Sequence, residues 1–456
     1  MRGKHRMGKN DLTQGNAAKV LLRFAAPFLA ANLIQALYGA ADLAVVGWFC
    51  GPASVAAVST GTQVTQIITS VIAGLTLGGT IRVGQLVGSG QQGKTGAAVG
   101  TLLTAFAVFA AGLTAALLGG CRWILQALQT PEAAFAEAMR YVCICAAGVV
   151  FICGYNAVSA VLRGYGDSVR PMLFVALACV LNIAGDLLLV GVLRMGAAGA
   201  AVATVAAQGF SMVCGMVYLH RSRFPFRFGR TTLRIHPGEL RRLAGLGLPI
   251  TIQECMVRLS FLYLTSVTNR LGVAAAAAVG VASRYDVLAM LPATSVASAL
   301  AAVTAQNFGA GKPQRAALSL KLGLLFALAA SGCFFAWAQL SPQTMIGLFS
   351  REAEVIEAGI PFFRSCSWDY LAVSVVFCLN GYLNGRGCTV FTMVSCCFGA
   401  LCLRMPLIWL ACGRCADDLA VLGAIAPAVS GVMAVYTLAY VAWMWRKDRR
   451  PALQKA

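Results

Sequence analysis

Two acidic residues stand inside long apolar stretches of this sequence. Asp42 lies late in the first apolar run, and Asp186 lies in the fifth, four positions after Asn182. On a helix this spacing places the Asn182 amide and the Asp186 carboxylate on one face. No Lys or Arg lies within a helical turn of either acid. A charge at the centre of a bilayer costs at least about 2.5 kcal/mol, so both acids are candidates for a functional site.

The chemistry available to such a pair is the reversible binding of a small cation. Two carboxylates in surroundings of low dielectric do not both ionise readily, so the pair takes up and releases protons as a unit. The same oxygens, joined by a hydroxyl, would also suit a hard cation such as Na⁺. We favour H⁺ because few additional hydroxyls accompany the acids. The alternative is structural: a buried Asp that only hydrogen-bonds a neighbouring Ser or Thr.

Further charged residues fall inside apolar runs of the second half. Glu254 and Arg258 are four positions apart, which predicts an ion pair along one helix. Asp286 is only two positions from Arg284 and would point elsewhere, so Arg258 of another helix is its expected partner. Asp369 follows Trp368 early in the tenth run. Each of these residues is a possible substrate contact: Glu254, Arg258, Arg284, Asp286 and Asp369.

Long apolar helices must position these residues. The chain has 456 residues, of which 59% are hydrophobic and 11% charged, a balance rare in soluble proteins. Apolar stretches of about 20 residues, each long enough to cross a bilayer, recur along the chain. We predict an all-α integral membrane protein with twelve transmembrane helices. The predicted spans are 19–46, 53–81, 95–118, 138–162, 169–190, 197–219, 243–268, 273–303, 316–340, 358–383, 389–411 and 418–445.

An internal repeat relates the two halves. Gly84-Gln85-Leu86-Val87-Gly88-Ser89-Gly90 returns as Ala305-Gln306-Asn307-Phe308-Gly309-Ala310-Gly311. Three pairs of residues lie 221 positions apart: Gln85 and Gln306, Gly164 and Gly385, Met172 and Met393. Six spans repeated in one orientation predict two parallel six-helix lobes around a central cavity.

The repeat does not extend to the buried acids. At the 221 offset, Asn182 and Asp186 correspond to Leu403 and Leu407, and Asp42 falls near Tyr263. The acid pair therefore belongs to the first half alone.

The basic residues predict the topology. We divide the chain into a basic tail (1–18), a first lobe (19–220), a basic linker (221–242), a second lobe (243–445) and a second basic tail (446–456). The tails, the linker and alternate loops hold most of the 36 Lys and Arg residues, which is the positive-inside pattern. Both termini are thus expected in the cytoplasm of a bacterial cell.

This charge pattern also excludes several classes of function. The net charge of +20 is explained by topology and needs no nucleic-acid partner. A Walker loop is absent from the sequence, and the three His residues (His5, His220, His236) lie in or beside basic segments, so we expect neither an enzyme nor a resident cofactor or metal. Cys412 and Cys415 form a CxxC in a loop, which is weak evidence for a metal or redox role.

A proline inside the first span adds a mechanical element. Pro27 removes a backbone hydrogen bond and bends its helix. A bendable helix that carries Asp42 could couple ion binding to a change in cavity shape. A static kink is the alternative.

Together these motifs resemble the multidrug and toxic compound extrusion (MATE) family. The resemblance rests on Ala26-Pro27 through Asp42, the paired Gln-x-x-Gly-x-Gly turns, Arg163-Gly164-Tyr165-Gly166-Asp167-Ser168 and Asn182 to Asp186. It covers about residues 17 to 445. The acids look like those of the DinF-like branch, which implies a cation site of Asp42, Asn182 and Asp186, with the hydroxyl of Thr204 on the sixth helix, and bending at Pro27. NorM-like members use carboxyl-lobe acids; Glu254 lies nearer the start of its helix than that pattern expects, and Asp369 lies in roughly the expected region.

The resemblance implies secondary antiport, in which H⁺ or Na⁺ enters as an organic, often cationic, compound leaves. Such a transporter would sit in the bacterial cytoplasmic membrane, contact the lipid bilayer and small organic substrates, and need no partner chain. Two alternatives remain. One is a lipid-linked oligosaccharide flippase of the same superfamily, suggested by intramembrane arginines such as Arg258 and Arg284. The other is a passive facilitator.

Overall fold

Helices of membrane-spanning length account for almost all of this computed structural model. It describes residues 11–222, 224, 233–268, 273–349, 352–414 and 418–453, without the side chains of 92, 273–276, 353, 412–414 and 449–453. The helices are α1 (Ala17–Phe49), α2 (Pro52–Gly88), α3 (Gln92–Ala127), α4 (Glu132–Gly164), α5 (Val169–Asp186), α6 (Gly196–Arg221), α7 (Pro237–Thr268), α8 (Val273–Gly309), α9 (Pro313–Leu340), α10 (Pro342–Gly347), α11 (Ala353–Cys366), α12 (Trp368–Arg386), α13 (Thr389–Cys397), α14 (Met405–Arg414) and α15 (Leu419–Leu453).

The predicted all-α membrane architecture is confirmed. Eleven helical stretches in the described ranges are long and apolar enough to cross a membrane. The predicted span that is not among these eleven is the seventh, 243–268, which corresponds to α7; this helix is 32 residues long but is interrupted by polar residues that include Glu254 and Arg258. Large apolar side chains such as Trp48 and Trp123 are 76% and 74% exposed, as expected of a surface that faces lipid.

Two of the predicted spans consist of more than one helical segment. The tenth comprises α11 and α12, which are separated at Ser367. The eleventh comprises α13, a π-helical segment at Phe398–Arg404, and α14. A second π-helical segment, Leu187–Val192, directly follows α5. A π-turn admits one extra residue into an α-helix and is frequent near functional sites, and the segment after α5 begins directly after the candidate site residue Asp186.

The chain forms two compact units. Unit 1 comprises Ala26–Thr251, Ala305–Gly311 and residues 11–13; unit 2 comprises Gln14–Ala25, Ile252–Thr304 and the chain from Lys312 onward. In unit 1, α4 packs against α2, α3 and α6. In unit 2, α12 packs against α9 and α15, and α15 also contacts α11. Each unit has its own apolar core.

Small residues allow close helix approach in both units. A Cβ added to Gly148 of α4 would lie 2.4 Å from Cγ2 of Val205 on α6. A Cβ added to Gly381 of α12 would lie 2.3 Å from the carbonyl oxygen of Ala297 on α8. Without a hydrophobic driving force between helices in lipid, such contacts supply much of the packing energy.

The turns repeat between the halves as the sequence predicts. Gly90 and Gly311 have φ of 69° and 68°, and Gly166 and Gly387 have φ of 84° and 94°. These angles lie in the left-handed region that favours glycine. Each pair is separated by 221 positions, so the backbone conformation repeats at the same offset as the sequence motif.

Within unit 1 the two copies of the glutamine–glycine turn meet. A Cβ on Gly88 would lie 2.0 Å from the carbonyl oxygen of Gln306, and one on Gly309 would lie 2.2 Å from that of Gln85. The Gln306 side chain donates to the carbonyl of Gly164 at 2.8 Å and accepts from the backbone N–H of Leu12 at 3.2 Å. The contact is reciprocal and leaves no room for a side chain at either glycine.

A buried ion pair lies in the same unit. Nε and Nη2 of Arg82 on α2 donate to the two carboxylate oxygens of Glu239 on α7, each at 2.8 Å. The two side chains are only 10% and 11% exposed. Hydrogen bonding from Arg82 holds the pKa of the Glu239 carboxyl below its ordinary value. The geometry of the pair is therefore bidentate, and Nη1 of Arg242 also lies 3.5 Å from Oε1 of Glu239.

Candidate functional site

The four residues expected to form the cation site come together in unit 1. Asp42 lies on α1, Asn182 and Asp186 on α5, and Thr204 on α6. Asp42 is 5% exposed, Thr204 is 8% exposed, and Asn182 and Asp186 are fully buried. Gly185 lies against Ala203, which brings α5 close to α6 at this point. We call these four residues the first cluster.

Hydrogen bonds join the members of the first cluster. Oγ1 of Thr204 donates to Oδ2 of Asp42 at 3.5 Å. The Asn182 amide nitrogen donates to Oδ1 of Asp42 at 2.8 Å, and its amide oxygen accepts from the backbone N–H of Thr204 at 3.3 Å. The reverse amide orientation offers only a 3.4 Å hydrogen bond to Oγ1 of Thr204. We therefore assign the orientation that satisfies both amide atoms.

Asp186 is less completely bonded than Asp42. Its carboxyl adjoins that of Asp42. Its Oδ1 is buried without a hydrogen-bond partner among the described residues. The π-helical segment begins at the next residue, Leu187. A buried acceptor with spare capacity is costly unless it binds something, so Asp186 marks the position at which a proton or cation would bind.

The first cluster holds no fixed positive charge. In the part of the chain that the structure describes, no Lys or Arg forms an ion pair with Asp42 or Asp186 within 4.0 Å. The same part contains no group of three His, Cys, Asp or Glu side chains that could hold a metal ion. Two carboxyls, an amide and a hydroxyl can still bind H⁺, or Na⁺ with further oxygens.

Tyr38 also belongs to this site, although the sequence reasoning missed it. It precedes Asp42 by four positions on α1, and its buried hydroxyl faces Thr204 and Asp42. The i to i+4 spacing that linked Asn182 with Asp186 would have found it. Tyr38 can donate to a carboxylate, so it can respond to the charge of the pair.

Pro27 lies inside α1, which continues through it from Ala17 to Phe49. The neighbouring Phe28 packs under a cation: the guanidinium carbon of Arg163 lies 4.6 Å from its ring centroid. α7 has a proline at the related place, Pro249. Bending at Pro27 remains a prediction.

A second group of polar residues, which we call the second cluster, lines a small cavity of about 20 Å³ in unit 2. It consists of Asp286 on α8, Asp369 in the first turn of α12, and Arg404 at the end of a π-helical segment. Nη2 of Arg404 lies 3.9 Å from Oδ2 of Asp369. The guanidinium carbon lies 4.7 Å from the ring centroid of Phe261, and Cys366 contacts Asp286 at 3.8 Å.

The structure corrects two expected pairings. Glu254 is half-buried and its charged atoms are not within 4.0 Å of those of Arg258, so the spacing of four did not produce an ion pair. Arg404, rather than Arg258, is the arginine beside Asp286 and Asp369. The π-helical segment that carries Arg404 changes the helical register, which simple spacing could not anticipate.

Other singled-out residues lie apart from both clusters. Arg284 is exposed, and its guanidinium carbon lies 6.0 Å from the ring centroid of Phe349. The fifteen cysteines whose side chains the structure describes are free thiols. Cys415 and the side chain of Cys412 lie outside the described residues, so the CxxC stays untested.

A repeated helical membrane fold with buried, uncompensated acids defines a polytopic membrane transporter. The MatE family model matches residues 27–188 and again residues 249–410, once in each half. The chain belongs to the MATE family.

Known proteins are similar to this chain along nearly its whole length. Probable multidrug resistance protein YpnP of Bacillus subtilis (strain 168) is 28% identical over 402 residues, covering 87% of this chain and 88% of the relative. Probable multidrug resistance protein YoeA of the same organism is 26% identical, covering 93% and 94%. A solved structure of a MOP superfamily transporter from Pyrococcus furiosus has a TM-score of 0.89 at 21% identity, covering 99% of this chain and all of that one. This last likeness shows the fold.

Proposed function

We propose that this protein is a secondary antiporter that exports organic, often cationic, compounds in exchange for H⁺ or Na⁺ by alternating access. The observation that carries the proposal is the first cluster. Asp42 and Asp186 come from helices far apart in sequence, converge in a buried position, and have no basic partner within 4.0 Å among the described side chains. Uncompensated acids in a membrane transporter are suited to a coupling ion.

The geometry favours the proton as that ion. The adjoining carboxyls of Asp42 and Asp186 can share one proton, which makes one of them a donor and the other an acceptor. Na⁺ would need additional oxygens beyond Thr204 and Asn182. Protonation would then favour release of substrate, and bending at Pro27 would reshape the first half.

Multidrug resistance proteins among the relatives support the substrate class. We place the protein in the cytoplasmic membrane of a bacterium, with both termini in the cytoplasm, acting as a monomer without a cofactor. The DinF-like acid pattern at Asp42, Asn182 and Asp186 supports that branch of the family.

The test is efflux of ethidium from proteoliposomes that contain the purified protein, with H⁺ and Na⁺ gradients imposed separately. We expect one gradient to drive efflux and Asp42→Asn to abolish that drive. Asp418→Asn, an acid in an exposed loop, is the matched control. Transport indifferent to both gradients would indicate a facilitator. Failure to move several organic cations would favour the flippase alternative.

A further inference from the structure

Three aromatic rings stack near the carboxyl-terminal end of α15. The ring centroid of Phe391 on α13 lies 3.8 Å from that of Tyr440 on α15, and the two ring planes differ by 9°. The ring centroid of Tyr440 lies 5.8 Å from that of Trp443, at an interplanar angle of 27°. Tyr440, Trp443 and Lys447 follow one another at spacings of three and four, so they share one face of α15. We call Phe391, Tyr440 and Trp443 the aromatic stack.

A cation lies at the end of the aromatic stack. Nζ of Lys447 is 5.4 Å from the ring centroid of Trp443, within the range of a cation–π contact. Trp443 is 55% exposed, and Lys447 is exposed as well. Trp445 instead turns toward the buried Tyr382, to whose hydroxyl its Nε1 donates at 2.9 Å. The pair of Trp443 and Lys447 therefore faces the surroundings of unit 2 and not its core.

The surface beside the aromatic stack is apolar along both helices. The exposed valines there are Val390 and Val394 of α13 and Val432 and Val435 of α15. The two helices belong to the membrane-spanning stretches Thr389–Ala411 and Leu419–Asp448. The aromatic stack lies near an end of each stretch, which is the depth at which aromatic residues meet lipid headgroups. The valines then lie at the depth of the acyl chains.

Positive charge is in excess at this end of α15. The sequence Arg446-Lys447-Asp448-Arg449-Arg450 contains four basic residues and one acid. That acid is already engaged, because Nη1 and Nη2 of Arg386 donate to the two carboxylate oxygens of Asp448, each at 2.8 Å. Among the described side chains, neither Arg446 nor Lys447 forms an ion pair within 4.0 Å. Their charges are thus available to an anion.

These features fit an anionic phospholipid better than a free anion. Topology explains why basic residues follow a membrane helix, but it does not require one of them to lie against an exposed tryptophan. A run of four basic residues directly after a membrane helix is typical of segments that bind anionic headgroups. A free phosphate would gain from the charges alone. A phospholipid gains from the charges, from the tryptophan at headgroup depth and from the valines beside its acyl chains.

We propose that the aromatic stack and Lys447 form a binding site for an anionic phospholipid. The ammonium of Lys447, with Arg446 beside it in the chain, binds the phosphodiester. Trp443 packs against the glycerol backbone of the lipid, and the acyl chains lie along the exposed valines of α13 and α15. The site shares no residue with the first or second cluster, and the inference goes beyond the proposed function.

The test titrates phosphatidylglycerol into the purified full-length protein in detergent and counts bound lipid by native mass spectrometry. We expect the first phosphatidylglycerol to bind more tightly than phosphatidylcholine. Lys447→Gln should weaken this binding about fivefold, the effect of one basic residue near an anionic surface. Trp443→Ala should weaken it by a similar factor because apolar contact is lost. Lys447→Arg keeps the charge and should stay near the wild-type affinity. Lys19→Gln removes an equal charge from an exposed position near the start of α1, and this matched control should not change binding.

Three results would overturn the proposal. The same affinity in Lys447→Gln and Lys19→Gln would mean that the lipid responds to overall charge and not to this site. Equal affinity of the wild type for phosphatidylglycerol and phosphatidylcholine would mean that the anionic headgroup is not recognised. Displacement of the lipid by millimolar inorganic phosphate would assign the charges to a free phosphate.

Two features of the design keep the result interpretable. Lys447→Gln changes a single exposed side chain, so the proposal stays testable through this variant even if Trp443→Ala does not fold. Thermal unfolding of each purified variant in the same detergent shows which of them are folded. Binding is measured without an ion gradient, so its outcome is independent of the proposed function.

Discussion

The first and second clusters lie in different halves of the chain and differ in how their charge is balanced. The first has two carboxyls joined by an amide and a hydroxyl, and no ion pair with a Lys or Arg was found for them within the described ranges. The second has two carboxylates and a guanidinium 3.9 Å from one of them. A site with no fixed cation must take a mobile one, so its occupancy follows the ion gradient. A site with a fixed cation has part of its negative charge balanced at all times, so it does not need to take up a mobile cation.

The largest effect should come from the first cluster. Asp186→Asn leaves Asp42 without the carboxyl that shares its proton, so gradient-driven efflux should fall to the rate without a gradient. The measurement is the initial rate of ethidium efflux from proteoliposomes with and without the gradient. Asp448→Asn should behave as wild type. Normal gradient-driven transport by Asp186→Asn would remove the distinction between the clusters.

The next prediction uses the ion pair of Arg82 and Glu239 as a reference for the longer contact between Arg404 and Asp369. Glu239→Gln leaves the Arg82 guanidinium buried and unpaired, which should cost about 3 kcal/mol of stability. Arg404→Gln should cost less, because that contact is long. Thermal unfolding of the two purified variants in the same detergent compares them. Equal losses would mean that the distance between Arg404 and Asp369 does not reflect loose pairing.

The ion pair of Arg82 and Glu239 also predicts that stability depends on pH. Arg82 holds the pKa of Glu239 below its ordinary value. A lowered pKa contributes stability above the unfolded value of about 4.3, and that stability is lost as pH falls through the folded value. The difference in melting temperature between wild type and Glu239→Gln should therefore shrink as pH falls below about 4.5. A difference that grows on acidification would contradict the assignment.

A smaller effect distinguishes the coupling ion. Thr204→Val removes a neutral oxygen from the first cluster but leaves both carboxyls. If Na⁺ is the coupling ion, its half-saturating concentration should rise about tenfold, the loss expected for one ligand. If H⁺ is the coupling ion, the transport rate should change less than about threefold, because only a single weak hydrogen bond is lost. Half-saturation by Na⁺, measured at fixed pH, gives the answer.

The smallest effect is expected at Tyr38. Tyr38→Phe removes one hydroxyl that faces Asp42, worth about 1 kcal/mol or less. Coupling should persist, with its pH midpoint slightly displaced. Complete loss of gradient-driven transport would give Tyr38 an essential role that the geometry does not predict.

The sequence predicted most of the fold and the first cluster for definable reasons. Membrane helices leave a strong apolar signal, and Asp42 and Asp186 are conspicuous because charge is costly in that setting. Tyr38 escaped because an amphipathic aromatic residue is ordinary in a membrane helix. The second cluster escaped because Arg404 lies at the end of a π-helical segment, where the regular spacing of an α-helix does not hold. Short insertions inside a helix leave no compositional trace.

The reciprocal contact of Gly88 with Gln306 and of Gly309 with Gln85 has a consequence for the history of the chain. After a duplication, residues that face only their own half are free to drift apart, as Asp186 and Leu407 have done. Residues that contact the other copy of their own motif cannot change in this way, because a side chain added to either glycine would collide with the other copy. Each turn therefore restricts which residues the other copy can accept. The duplicated motif is retained where its two copies are in contact.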